Sequence, residues 1–311
     1  MSQKNVKNIA ASIRQRLLNK AKENSRPFNE ILQYYGLERF LYRLSASKYA
    51  DKFILKGALL FTVWQQSEIR STVDIDLLGT TSNEPEAITK VFRDICKAKV
   101  EDDGLQFDDL SITAEQITVD ADYQGVRVQL CGYLGTARIL VQVDIGFSDV
   151  ITPGPEIYDY PTILDLPEPK LNCYNKETMI AEKLQAMVKL DILNSRMKDI
   201  YDIWVLSKRF EFKSTSLKNS IVNTFKRRET EVTENITTFT ERYYQNDEKL
   251  KQWQGFLRKS KVSDVSQDLS EITGDIKNFI EPVLTSIVRK KEFKKTWKPE
   301  LQKWQRYPIS L

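Results

Sequence analysis

Val73-Asp74-Ile75-Asp76-Leu77-Leu78-Gly79 is the stretch on which the reading of this chain turns. Its apolar residues and closing glycine predict a strand. Residues two apart in a strand share a face, so Asp74 and Asp76 point the same way. Two carboxylates on one face repel unless something neutralises them, and burying both without a counter-charge is costly. A pair of Mg2+ ions about 3.5–4 Å apart is one natural solution. A solvated strand end or a salt-bridged pair is the other reading of the same pattern.

The segment before it sharpens the choice. Phe53-Ile54-Leu55-Lys56-Gly57 predicts a strand running into a glycine turn, with a helix from Ala58. Such a junction lets backbone N–H groups meet phosphate, which makes Lys56, Gly57 and Ala58 candidate nucleotide contacts. The carboxylates follow seventeen residues after Gly57. A glycine turn, one helix, then a strand with Asp-x-Asp is the layout of a nucleotidyltransferase core, the turn on the triphosphate and the carboxylates on the metals. A plain helix-start turn is the other reading of Gly57. Arg70 and Thr72 lead into the acidic strand and could meet a carboxylate or a phosphate, or sit in a surface loop. A third carboxylate, Asp144, lies in the apolar run Leu140-Val141-Gln142-Val143-Asp144-Ile145. If that strand runs beside the first, the three carboxylates meet.

Composition narrows the chemistry. The 311 residues include no histidine and three cysteines, Cys96, Cys131 and Cys173. Ser–His–Asp and Cys–His relays are excluded, as are zinc sites built on histidine or on four cysteines. A base must be a carboxylate or metal-bound hydroxide, so activity should lack an imidazole titration near ~6.5. The net charge of +4 conceals a split. Glu101–Lys170 holds 14 acidic and 3 basic residues, a net of −11, which leaves +15 for the rest. Met1–Asn24 carries six bases against Glu23, and Arg289–Arg306 eight against Glu292 and Glu300. An acidic middle between basic ends suits metal-assisted chemistry on a polyanion; solvated basic helices are the plainer reading. No apolar run approaches the ~18 residues of a membrane span. Sparse cysteines in odd number fit reduced thiols, so the expected setting is cytoplasmic, with no membrane partner.

The fold class expected is α+β, in three parts: N-terminal helices over 1–50, a mixed β-sheet core over 51–170, and a helical C-terminal domain over 171–311. Val6, Ile9, Ile13 and Leu17, then Ile31, Tyr34, Tyr35, Leu41 and Leu44, fall at helical spacing. In the core, Glu84–Lys99 predicts a helix and Ser111–Thr118, Val126–Tyr133 and Ala137–Phe147 predict strands. Prolines from Pro153 to Pro169 close it. Beyond, helices are expected over Glu177–Leu190, Met197–Lys208, Leu217–Lys226, Thr237–Lys259 and Val265–Lys290. There is no internal repeat. Lys183 neighbours an apolar helical stripe, and Arg196, Asp199 and Asp202 follow, the two aspartates three apart on one helix face. A lysine there could clamp a phosphate, with an aspartate orienting it; an interhelical salt bridge is the alternative. Trp253, Tyr243 and Tyr244 are candidates for stacking on bases or for the core.

These residues carry a resemblance. Phe53–Phe61 and Arg70–Gly79 resemble the first signature of the AbiEii/AbiGii toxin-type nucleotidyltransferases. Ala137–Phe147 with Thr152–Pro155 resembles a third-carboxylate segment. Tyr160–Pro167, Glu177-Thr178, Ala181-Glu182-Lys183 and Ser195–Trp204 resemble its later motifs. The likeness spans Lys52–Leu206. It implies a nucleotidyltransferase fold, use of an NTP with Mg2+ or Mn2+, and a toxin paired with an antitoxin encoded nearby, in toxin–antitoxin or phage-defence systems. Some members add nucleotides to the 3′ end of tRNA, so RNA, and tRNA first, is the implied acceptor, with growth inhibition the result. Carried over by motif, Asp74 and Asp76 bind metal, Asp144 joins them, Lys183 contacts the nucleotide with Arg196 nearby, and Asp202 or Asp199 completes the set. Many relatives place Gly-Gly-Thr or Gly-Ser after the first strand; Gly57-Ala58-Leu59 here leaves the triphosphate to backbone amides. Transfer to a protein hydroxyl by the same core, and a non-catalytic nucleotide- or RNA-binding module, are the alternatives.

Overall fold

The computed structural model describes residues 8–64, 72–119, 123–262 and 265–306. Val6, Lys4, Lys7 and Arg70 lie outside them. Two compact units form: residues up to Ser148 with Glu156–Cys173, and Asp149–Pro155 with Tyr174 onward.

The first unit begins with α1 (Ile9–Glu23) and α2 (Phe28–Ser45). β1 (Phe53–Lys56), α3 (Leu59–Val63), β2 (Asp74–Gly79) and α4 (Pro85–Cys96) follow, then β3 (Leu105–Val119), β4 (Tyr123–Leu134) and β5 (Ala137–Gly146). β6 (Glu156–Asp159) and β7 (Lys170–Cys173) complete a seven-stranded mixed sheet in the order β3-β4-β5-β2-β1-β7-β6. β2 runs parallel to β5 and antiparallel to β1. β6 falls in the proline-rich stretch and β7 just after it, where sequence reading left no structure. Each is four residues long, too short to show an alternating pattern.

The sheet has two unlike faces because β5 alternates. Ile139, Val141, Val143 and Ile145 are buried, whereas Gln142 and Asp144 are half-buried and Leu140 is exposed. α2 packs on the apolar face, close enough that a Cβ added to Gly36 would sit 2.5 Å from Ile139 Cγ2. Phe40 of α2 stacks on Phe92 of α4 with ring centroids 5.4 Å apart. Burial of such rings supplies the main stabilisation of this layer. Arg43 forks onto Asp103 at 2.8 and 3.0 Å and donates to the Leu105 carbonyl at 2.7 Å, so the buried charge is paired and hydrogen-bonded.

Glu38 of α2 is also buried, accepting from the Ile163 N–H at 2.7 Å with Arg39 Nη2 2.8 Å away. Burial pushes its carboxyl up to about 7 against the pull of Arg39. The folded state thus favours the protonated form, so its contribution to stability falls as pH rises from the ordinary ~4.3 toward that value. Glu38→Gln should flatten the slope of the urea midpoint across this window, and an unchanged slope would refute the assignment.

The second unit holds α5 (Lys176–Leu190), α6 (Met197–Arg209), α7 (Ser214–Arg227), α8 (Glu241–Tyr244), α9 (Asp247–Ser260) and α10 (Leu269–Val288). Its core gathers Ile180, Leu184, Ile203, Ile221, Ile276 and Phe279. Two expectations need correction. The single helix expected over Thr237–Lys259 is broken into a 3-10 turn, α8 and α9, with Thr240 extended between the first two and Asn246 capping α9. The domain is also not wholly helical: β8 (Phe212–Lys213), β9 (Lys295–Lys298) and β10 (Lys303–Arg306) form a second sheet. Trp297 and Trp304 seal it against Phe279, at 4.9 and 5.7 Å between ring centroids. Trp253 and Tyr243 are fully buried, with hydrogen bonds to the Ser266 and Asn194 carbonyls, so they belong to the core.

Candidate active site

The sheet register lines up the charges of the polar face. Lys56 of β1 pairs with Asp76 of β2, Asp76 with Asp144 of β5, and Asp144 with Arg127 of β4. Paired residues share a face, so two cations bracket two carboxylates in one row across four strands. Asp74 lies one step along the same face, opposite Gln142. The strand carrying Asp144 therefore does run beside the Asp74–Asp76 strand.

Asp144 is engaged by a residue that sequence reading missed. Arg127 donates through Nε and Nη2 to its two carboxylate oxygens, each at 2.8 Å. These bonds raise the guanidinium above its ordinary value, against partial burial, and the charges of Asp144 and Asp74 add to the effect. The signal was present: Arg127 is one of only three bases in the acidic stretch 101–170.

Gly57 owes its identity to Asp76. Its φ of +73° lies in the left-handed region, and a Cβ there would fall 2.7 Å from Asp76 Cγ and closer still to Oδ2. The turn after β1 thus closes directly on the carboxylate. Ala58 is buried at the start of α3, which has only five residues and so little macrodipole. What the turn can offer a phosphate is local backbone N–H. Gly57→Ala should cost about 1–2 kcal/mol for the left-handed backbone alone and should displace Asp76. Thermal melts and activity should therefore fall together; a fully active, fully stable variant would contradict this packing. Thr72 braces the strand, since its N–H donates to Tyr34 Oη at 3.1 Å and its hydroxyl to the Asp74 carbonyl at 3.3 Å.

The donor chemistry suits a hard cation. Among the described residues no group of three or more carboxylates or thiols converges tightly enough to hold a metal ion. Asp74 and Asp76 stand on one face of β2, with Asp144 beside Asp76 on β5. Mg2+ is commonly held by one or two carboxylates, with waters and substrate phosphates completing its shell, so the pair fits it.

The remaining predicted residues cluster in the second unit. Asn175 caps α5, accepting from the Thr178 N–H at 2.8 Å, and so sets the register of Lys183. Lys183 Nζ lies 2.8 Å from Asp199 Oδ1 and 2.8 Å from Asp202 Oδ2, both on α6. Arg196 Nε pairs with the other oxygen of Asp199. Burial would raise Asp199, but Lys183 and Arg196 outweigh it and hold the carboxyl well below the usual range. A second buried group, unforeseen in the sequence, joins Arg228 to Asp149 at 2.6 Å and to Gln185 at 3.0 Å.

The family model described as the nucleotidyl transferase AbiEii toxin of type IV toxin–antitoxin systems matches residues 39–273. The chain belongs to the AbiEii family. The match extends the Lys52–Leu206 likeness at both ends, and β9 and β10 lie beyond it. AbiEii membership makes this chain a nucleotidyltransferase and a toxin of the type IV class, with an NTP substrate and an antitoxin partner. Two solved structures from Helicobacter pylori are similar at 11% identity. One is described as a candidate nucleotidyltransferase, with TM-score 0.48 over 84% of this chain and 98% of that one. The other is JHP933, with TM-score 0.47 over 83% and 95%. A comparison with curated proteins gives no significant match. No helix among the described residues is long and apolar enough to cross a membrane.

Proposed function

We propose that this AbiEii nucleotidyltransferase moves a nucleoside monophosphate from an NTP to the 3′ hydroxyl of an RNA, with tRNA the foremost acceptor. The observation that carries the reading is the row in which Asp76 stands beside Asp144, with Asp74 on the same face and Gly57 closed on Asp76. Asp74 and Asp76 would hold Mg2+ or Mn2+. When bound, the ion neutralises phosphate charge and polarises the centre under attack.

The chain's own groups do the rest. Backbone N–H groups of the Gly57–Ala58 turn and the Lys56 ammonium bind phosphate oxygens. The acceptor hydroxyl attacks the α-phosphorus, the bond to the bridging oxygen of the β-phosphate breaks, and pyrophosphate leaves. Asp144, paired with Arg127, accepts a hydrogen bond from that hydroxyl and takes its proton at a carboxylate oxygen. In this reading the Lys183 ammonium, paired with Asp199 and Asp202, and Arg196 offset charge on the nucleotide. Added nucleotides at the acceptor end block aminoacylation, which accounts for toxicity.

Purified protein with Mg2+, each labelled NTP and total tRNA should yield label that RNase removes and protease does not. Label that survives RNase and is lost to protease would move the acceptor from RNA to a protein hydroxyl.

A further inference from the structure

The face that carries the carboxylates continues along β4 and β5 well past them. Beyond the Arg127–Asp144 pair, the register sets Gln129 beside Gln142, Cys131 beside Leu140 and Tyr133 beside Arg138. The intervening Val128, Leu130, Ile139, Val141 and Val143 are buried on the other face. On this face Leu140 is 48% and Tyr133 37% exposed, Arg138 is exposed, and the two glutamines are half-buried. From Asp144 to Arg138 the strip runs six residues, about 20 Å at the usual strand rise.

We propose that this strip of β4 and β5 is the track on which the single-stranded 3′ end of the RNA acceptor lies. The proposal rests on the RNA-acceptor reading above and adds where and how the acceptor is held. Three observations carry it. The strip is continuous with the Asp74–Asp76–Asp144 face, so a strand lying along it ends at the carboxylates. Its chemistry suits an unpaired strand: Tyr133 offers a ring to a base, Arg138 and Arg127 offer cations to phosphates, and the amides between them offer donors and acceptors to base edges. The charge is also selective. Of the three bases in the acidic stretch 101–170, Arg127 and Arg138 both stand on this face. Each is anchored, Arg127 by Asp144 and Arg138 by Cys131 Sγ, 3.2 and 3.1 Å from Nε and Nη2. Anchoring lowers the entropy lost when a phosphate is bound. A duplex, whose base faces are stacked inside it, cannot use such a surface in this way.

The test compares wild type with Tyr133→Ala and Arg138→Gln, both exposed positions that leave the core intact. Binding of a labelled single-stranded oligoribonucleotide of about ten nucleotides is followed by anisotropy across a salt series, without metal. Each variant should weaken binding about tenfold. Arg138→Gln should also lower the salt slope by about 0.7. With Mg2+ and NTP, the kcat/KM for the longer acceptor relative to a dinucleotide should fall about tenfold, because a dinucleotide does not reach Tyr133. Wild-type binding and acceptor ratios in both variants overturn the track while leaving the proposed function standing. Equal losses for dinucleotide and longer acceptor also overturn it, because they place the damage at the reaction centre. Binding that depends on Tyr133 and Arg138 in a protein that labels no RNA supports the track and refutes the acceptor reading.

Discussion

Lys183→Met should destabilise the second unit by about 3–5 kcal/mol, the range for removing one partner of a buried ion group. The side chains of Asp199 and Asp202 are 1% and 0% exposed, and both carboxylates lie 2.8 Å from the lysine ammonium. Methionine keeps the stem of the side chain and removes the charge, so both buried carboxylates lose the ammonium that joins them, while Asp199 keeps Arg196. The urea midpoint of the second unit's transition reports the loss. A double variant, Lys183→Met with Asp202→Leu, should recover part of it, because one of the two buried carboxylates that lost the ammonium is then absent. The pH profile has a definite sign. Asp199 is held below its ordinary value, so the stability it contributes is fully present above ~3.9 and is lost as pH falls toward the folded value. Acid sensitivity in that window should be weaker in Lys183→Met than in wild type. A change of less than about 1 kcal/mol, the size of a surface pair, would mean that the cluster is hydrated and not a buried core of the unit.

Asp76→Asn should lower nucleotide transfer at least about a thousandfold, equal to about 4 kcal/mol of transition-state stabilisation. Asparagine fills the same space against Gly57, so the fold should survive and the circular dichroism should match wild type. Half the charge of the Asp74–Asp76 pair is nevertheless removed. Asp144→Asn should lower transfer by about a hundred- to ten-thousandfold, because it removes the group that takes the acceptor's proton. Activity in Asp76→Asn within tenfold of wild type would show that the pair is structural.

The parts of the fold written in strong periodicity were legible. β1, β2, α4, β4 and β5 lie where alternation or helical spacing put them, because one face of each is buried against α2 or within the sheet. The missed strands are four residues or fewer, or gain their apolar contacts from distant chain, as Trp297 does from Phe279. The Asp74–Asp76 face was legible because a two-residue period follows from backbone geometry alone. What a local pattern cannot give is the partner across strands. That Asp144 meets Arg127, or that Gly57 closes on Asp76, follows from register, which joins residues 17 and 19 positions apart. Asp199 and Asp202 were legible as a pair on one helix face, with Lys183 as a possible interhelical partner, while the Arg228–Asp149 pair, separated by 79 residues, left no local trace.

The most direct test is the fate of the NTP phosphates. Wild-type protein is incubated with Mg2+ and RNA alongside an NTP labelled at either the α- or the γ-phosphate. The account predicts that α-label enters RNA as a nucleotide at the 3′ end, γ-label appears only in pyrophosphate, and both signals vanish in Asp76→Asn. Retention of γ-label on the acceptor, or α-label transfer that persists undiminished in Asp76→Asn, would contradict it.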